Sequence, residues 1–287
     1  MILEITHLSF NYKNVDIFKD ASMQIEKPGV YGLVAPNGSG KTTLLDLIAG
    51  FLSQQRGEIR IFGQSNKQLK SLAPKISYVQ DNRVLYQYLS AQEHLNMVAD
   101  LYHVSKERVA QLVKQFALTN FLTRPVSSYS LGQKQRILIA MAMVTDPQLI
   151  FLDEPLNGLD PDSVIIIRNV LKQLALEKKT VLVSSHNLDE LAKTTDTFFY
   201  VKNKQLFSEQ IEHFANLSFK TDQPEQMQQF LEDADFQVKR DDGRLVILVA
   251  SDRIIDLIRK MDQQHLDFSD PKIYVNSLED QYQRIFD

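Results

Sequence analysis

Residues 30–49 constrain this chain more than any other stretch. An apolar run, Val30-Tyr31-Gly32-Leu33-Val34, leads into Ala35-Pro36-Asn37-Gly38-Ser39-Gly40-Lys41-Thr42-Thr43. Leu44-Leu45-Asp46-Leu47-Ile48-Ala49 follows with helical periodicity. Strand, glycine-rich turn, helix is the context that a phosphate-binding loop requires. A helix start leaves backbone N–H groups unpaired and carries partial positive charge. Asn37, Gly38, Ser39 and Gly40 form the turn, and the two glycines let the backbone curl around an anion. Lys41 can reach the terminal phosphates, the Thr42 hydroxyl can ligate magnesium, and Thr43 can support it. The standard loop begins with glycine where Ala35 stands here. If that position needs positive φ, the methyl group costs about 1 kcal/mol. A glycine-rich turn without a ligand is the plain alternative for this segment taken alone.

The rest of the chain bounds the answer. With 287 residues there is room for one large domain or two smaller ones. A net charge of −4 argues against a surface devoted to nucleic acid. No apolar stretch approaches the length of a membrane span. The absence of cysteine excludes disulfides and thiolate metal sites. The start, Met1-Ile2-Leu3-Glu4-Ile5-Thr6, alternates like a strand rather than a signal peptide, so a cytosolic chain is expected.

Periodicity divides the sequence further. Residues 1–30 predict antiparallel strands, as do residues 57–62. Residues 76–80 predict a short buried strand ending at Gln80. From about 87 to 145 the period is helical, with Ser90 and Glu93 spaced as a capping box and Pro125 as a break. Residues 149–153 and 180–185 are near-continuous apolar runs, as strands covered on both faces should be. A helix is predicted between them over 162–178. Residues 197–207 predict a hairpin turning at Asn203-Lys204. Beyond about 209 the order changes to strand 215–220, helix 223–233, strands 236–240 and 244–249, helix 251–263, strand 270–275 and helix 277–286. That order predicts a small βαββαβ unit.

Three segments carry chemistry. Leu149-Ile150-Phe151-Leu152-Asp153-Glu154-Pro155 delivers two carboxylates to the C-terminal end of a strand, the edge at which open α/β sheets bind ligands. Asp153 is placed to hold magnesium and Glu154 to deprotonate an attacking water. Two solvated acids at a strand end are the alternative. Ser130-Leu131-Gly132-Gln133-Lys134-Gln135-Arg136 opens a helix and makes a second anion-binding terminus, although a capping serine is in itself only a cap. His186 follows Ser184-Ser185 at a strand end, where it could contact a γ-phosphate. Gln80 ends another strand and is placed to sense the metal or the water. Tyr12 is either a base-stacking ring or a half-buried strand tyrosine.

Taken together, these residues resemble the ATP-binding cassette subunits of ABC transporters over about residues 1–208. Tyr12 matches the adenine-stacking aromatic, residues 35–43 the phosphate loop, and Gln80 the Q-loop. Ser130-Leu131-Gly132-Gln133 matches the family signature, Asp153-Glu154 the Walker B pair, Leu156 to Asp160 the D-loop, and His186 the switch histidine. The signature departs at Tyr129, normally leucine, and at Leu131, normally glycine. The resemblance implies an α/β P-loop fold of ABC type: a mixed sheet core, an antiparallel β subdomain and a helical subdomain over about 83–146. Residues 209–287 would form a small accessory α+β domain. It implies ATP and Mg²⁺ as ligands and a head-to-tail pair of cassettes, homodimeric or heterodimeric. Lys41, Thr42 and Asp153 of one subunit would contact each ATP and Ser130 and Gly132 of the other would complete the site, with Gln133 and Asp160 also among the implied nucleotide-binding residues. It also implies an integral-membrane permease as partner, a peripheral position on the inner face of the cell membrane, and no nucleic acid. The Ser-Leu-Gly signature is similar to that of bacterial cassettes with separate small permeases for drugs, bacteriocins or lipids, so export is expected. The alternatives are a soluble ABC-type ATPase acting on a ribosome or nucleic acid, and a nucleotide-sensing module without turnover. The single cassette and the absence of a long coiled-coil insertion weigh against the first. The intact Glu154 and His186 weigh against the second.

Overall fold

The computed structural model describes residues 1–36, 38–80, 82–185, 188–210, 214–250 and 253–275. Contacts divide the chain into two compact units, Met1–Gln210 and Ile211–Asp287.

The first unit begins with the long strands β1 (Leu3–Tyr12) and β2 (Val15–Ile25), then β3 (Gly29–Val34) and helix α1 (Lys41–Ile48). Strands β4 (Arg56–Ile61) and β5 (Gln64–Ser65), a single helical turn α2 (Leu69–Leu72) and strand β6 (Ile76–Val79) follow. Helices α3 (Ala91–Leu101), α4 (Lys106–Gln115) and α5 (Leu131–Ala142) occupy the segment of helical period. The chain then alternates through β7 (Leu149–Asp153), α6 (Pro161–Leu176), β8 (Thr180–Ser184) and α7 (Leu188–Ala192). It closes with the hairpin β9 (Thr197–Lys202) and β10 (Gln205–Gln210). Asn203 and Lys204 both take positive φ, 51° and 66°, the backbone that a tight two-residue hairpin turn demands.

Two sheets enclose α1. One is antiparallel in the order β2-β1-β4-β5; the other has six strands in the order β10-β9-β3-β8-β7-β6. In the second, β9, β3, β8, β7 and β6 run parallel, with β10 antiparallel at the edge. Strands β7 and β8 are buried on both faces, which is why their sequences do not alternate. Leu44, Leu45, Leu47 and Ile48 of α1 are fully buried in a core that also holds Phe18 of β2 and Phe151 of β7. Burying those four side chains contributes roughly 6–12 kcal/mol, so α1 is held by packing rather than by helix propensity. Because the strands are parallel, the ends of β3, β6, β7 and β8 meet at one edge. The register places Leu33, Ser184 and Asp153 in one row there.

The predicted capping box forms: the Ser90 hydroxyl accepts from the Glu93 N–H, and Glu93 accepts from the Ser90 N–H. Among the described residues no helix is long and apolar enough to cross a membrane.

The second unit runs β11 (Phe214–Lys220), α8 (Pro224–Asp233), β12 (Val238–Asp241), β13 (Arg244–Ala250), α9 (Ile254–Gln263) and β14 (Ser269–Val275). Its sheet has the order β12-β13-β11-β14, with every pairing antiparallel, the βαββαβ layout of ferredoxin-like domains. Leu217, Phe219, Ile247 and Val249 of the sheet and Met227, Leu231, Leu257 and Met261 of the helices share its own core. The helix expected over 277–286 lies outside the described residues.

Candidate nucleotide site

The glycine-rich turn is shaped by its neighbours. Gly40 takes φ 105°, and a Cβ there would come within 2.5 Å of Ile17 Cγ2. The β1–β2 hairpin therefore presses on the turn, and only glycine serves at that point. Ala35 is not among the residues with positive φ, so its methyl group costs nothing in backbone strain. The missing first glycine of the loop is accommodated. Asn37 lies outside the described residues.

Lys41 is almost fully buried, at 7% exposure. Its Nζ donates to the Ala35 carbonyl at 2.7 Å, folding the side chain back across the loop, and lies 3.7 Å from Glu154 Oε1. The Thr42 hydroxyl donates to Asp153 Oδ2 at 2.6 Å. Thus α1 and β7, distant in sequence, deliver a hydroxyl and a carboxylate to one point. Thr43 follows on the first turn of α1, partly buried.

Ser184, the last residue of β8, organises the acids. Its hydroxyl donates to Asp153 Oδ1 and accepts the Glu154 N–H at 2.9 Å, while its carbonyl accepts the same N–H at 3.2 Å. Glu154 takes φ 49°, a left-handed conformation that costs a non-glycine residue about 1–2 kcal/mol. Ser184 holds that turn and so aims Glu154 away from the strand. The signal for this role in the sequence is a polar residue ending an apolar strand at the ligand-binding edge.

Gln80 follows β6. Its Nε2 donates to Asp46 Oδ1 at 2.6 Å, on the same helix that carries Lys41 and Thr42. Burial pushes the Asp46 carboxyl up, against hydrogen bonding that lowers it, and the charge of Asp153 pushes in the same upward direction. Tyr12 ends β1 at 46% exposure, edge-on to Phe10 with ring centroids 4.9 Å apart. It sits at the turn of the hairpin whose second strand supports Gly40. His186 lies outside the described residues.

Ser130, Gly132, Gln133 and Asp160 form a second cluster at the starts of α5 and α6. Ser130 caps α5: its hydroxyl accepts the Gln133 N–H at 3.2 Å, and Gln133 Oε1 accepts the Ser130 N–H at 3.1 Å. Gln133 is therefore engaged in a capping box. Asp160 caps α6, accepting the Ser163 N–H and hydroxyl at 2.9 Å each, and these bonds hold its carboxyl below the usual range. Ser130, Gln133, Arg136, Asp160 and Ser163 line one cavity of about 750 Å³. A Cβ on Gly132 would lie 2.2 Å from Ser163 Oγ and 2.5 Å from Asp160 Oδ2. Gly132→Ala is thus expected to push α5 away from α6 and cost about 1–3 kcal/mol. Thermal unfolding would show a midpoint lowered by several degrees; an unchanged midpoint would mean that the two helix starts do not touch.

A hydroxyl and one carboxylate are few ligands for a metal cage, and among the described residues no cluster of three or more His, Cys, Asp or Glu side chains could hold an ion. That donor set does suit Mg²⁺, which keeps waters and takes its remaining ligands from substrate phosphates. The residues present therefore fit Mg²⁺ bound with a nucleotide, and Thr42 and Asp153 would hold it.

Comparison with known proteins agrees in kind. The ABC transporter family model matches residues 18–157. An uncharacterised ABC transporter ATP-binding protein of Bacillus subtilis, YhcH, is 30% identical over 290 residues, spanning 98% of this chain and 94% of that protein. The lantibiotic transport ATP-binding protein SrtF of Streptococcus pyogenes is 33% identical over 210 residues, covering 72% of this chain and 90% of its own. Among solved structures, the ATP-binding cassette MJ0796, captured as a post-hydrolysis dimer with ADP and Pi, superposes with a TM-score of 0.66 at 25% identity. That match covers 73% of this chain and 99% of MJ0796.

Proposed function

The chain belongs to the family of ABC transporter ATP-binding proteins, and from that premise we propose that it hydrolyses MgATP in sites shared by two cassettes and so powers export through a separate permease. The observation that carries this reading is the division of phosphate-binding groups between two surfaces. Lys41, Thr42, Asp153 and Glu154 converge at the β3–α1 and β7 ends. Ser130 and Gly132 stand at the start of α5, against the start of α6. A γ-phosphate carries more charge than either set neutralises alone, so ATP joins two copies, and its cleavage releases them.

Within one site, Lys41 exchanges the Ala35 carbonyl for phosphate oxygens. Thr42 and Asp153 would hold Mg²⁺, which would supply positive charge to the phosphates when bound. Glu154 orients a water in line with the γ-phosphorus and accepts its proton. Gln80 and His186 complete the γ-phosphate surroundings, Tyr12 stacks on the base, and Asp160 holds the signature of its own chain in place. The partner cassette is a second copy or a close homologue.

Tyr86 and Tyr88, 49% and 76% exposed, offer an aromatic surface to the permease on the cytoplasmic face of the membrane. SrtF is named for lantibiotic transport, which supports an amphipathic peptide, drug or lipid as cargo. Residues 209–287 act as an accessory domain in pairing, docking or regulation.

Ser130→Ala tests the shared site. It is expected to leave the affinity of a single chain for ATP unchanged and to abolish ATP-induced pairing and permease-stimulated phosphate release. The reverse pattern, weaker binding to the single chain with normal pairing, would overturn this reading, as would co-purification with ribosomes or DNA instead of a membrane protein.

A further inference from the structure

Tyr129 stands immediately before Ser130 and departs from the leucine of the family pattern. It is buried, at 6% exposure, and its hydroxyl is fully used. The single hydroxyl proton lies between the carbonyls of Phe121, at 2.5 Å, and Arg124, at 2.8 Å. The oxygen accepts the Ala91 N–H at 3.2 Å. Ala91 is the first residue of α3, where an N–H has no partner within the helix, so Tyr129 supplies one. The ring packs edge-on against Phe121, centroids 4.9 Å apart. One side chain therefore joins the starts of α3 and α5.

The segment that Tyr129 grips carries the exposed aromatics. Leu89 accepts the Val126 N–H at 2.9 Å, Gln87 accepts the Ser127 N–H at 2.9 Å, and Ser90 bridges Pro125. His94, fully buried on α3, accepts the Tyr86 N–H on Nε2 at 3.0 Å, which leaves its proton on Nδ1 to donate to the Ser90 carbonyl at 2.8 Å. The rings of Tyr86 and Tyr88 lie 5.9 Å apart above this framework. From that segment to Ser130 the connections are hydrogen bonds of 2.8–3.2 Å and single peptide units, and the link nearest Ser130 is the Tyr129 hydroxyl.

We propose that the Tyr129 hydroxyl is a positioning group that locks Ser130 to the segment bearing Tyr86 and Tyr88, so that displacement of those tyrosines by a bound partner moves the start of α5. This inference rests on Ser130 completing the site of a second copy. Tyr129 touches no nucleotide; it sets where Ser130 stands. An aliphatic residue in its place fills the space but leaves Ala91, Phe121 and Arg124 without their shared partner.

The test uses the full chain carrying Glu154→Gln, so that bound ATP persists, with and without Tyr129→Phe. Amide exchange over residues 86–91 is expected to rise about tenfold, the factor set by loss of one buried hydrogen bond, with β7 and β8 unchanged. The affinity of the single chain for ATP should stay the same, whereas ATP-induced pairing, followed by light scattering, should require about tenfold more chain. Retained exchange protection and an unmoved pairing midpoint would overturn the role of Tyr129. If the chain with Tyr129 intact fails to pair, the shared-site reading itself falls, and this role with it. Should Tyr129→Phe fold poorly, Tyr129→Leu, the residue of the family pattern, carries the same expected results.

Discussion

Glu154→Gln is expected to lower ATP turnover by about 10²–10⁴-fold, the usual contribution of a general base, while ATP binding is kept. The geometry makes this a clean substitution. Glutamine has the shape of glutamate, so the left-handed turn at φ 49° and the N–H bond to Ser184 at 2.9 Å are undisturbed. Asp153 keeps its links to Thr42 and Ser184. Only basicity and one negative charge are lost. That charge lies 3.7 Å from Lys41 Nζ, and its removal frees the ammonium for phosphate rather than competing for it. Affinity measured by titration should therefore be equal or higher, and ATP-bound dimer should accumulate because the step that ends the shared contact is blocked. Phosphate release at the parental rate would remove Glu154 from the role of base.

Much of this architecture was legible because it depends on local signals. The turn at 35–40 needs glycine where α1 begins, and the runs at 149–153 and 180–184 lack alternation because both faces are covered. Asn203-Lys204 marked a hairpin by turn chemistry alone. The βαββαβ order after residue 209 followed from period changes, with boundaries within a few residues of those observed. What could not be read was contact between distant segments. Nothing in the sequence near Ser184 says that its hydroxyl spans to Asp153, 31 residues away. Gln80 was expected at the metal, and its bond to Asp46 spans three strands and a helix. Tyr129 registered only as a departure from a pattern, because its three partners lie on segments that meet only once α3 and α5 have packed. Ala35 shows the converse: the motif marked a strained position, and the folded backbone relieves the strain by taking an ordinary φ.

Lys41→Ala is expected to weaken ATP binding by about 10²-fold or more, in line with the roughly 3–5 kcal/mol lost when one member of a buried charge pair is removed. Burial makes this lysine effective. At 7% exposure its ammonium is little screened by water, and its partners without nucleotide are one carbonyl and the edge of Glu154. Those contacts are weak enough to exchange for phosphate oxygens. The cost to folding should be much smaller. Glu154 is partly exposed and regains water when Lys41 is gone, so the unfolding midpoint without nucleotide should shift by only a few degrees, about 1 kcal/mol. Lys41→Arg should also fail to bind normally, because a planar guanidinium cannot occupy the space that brings Nζ within 2.7 Å of the Ala35 carbonyl. The two variants separate charge from shape. If arginine restores binding, net charge at the mouth of the loop is sufficient. If neither variant changes the dissociation constant measured by calorimetric titration, the turn at 35–43 does not hold the triphosphate, and the phosphate-binding surface must be sought elsewhere in the fold.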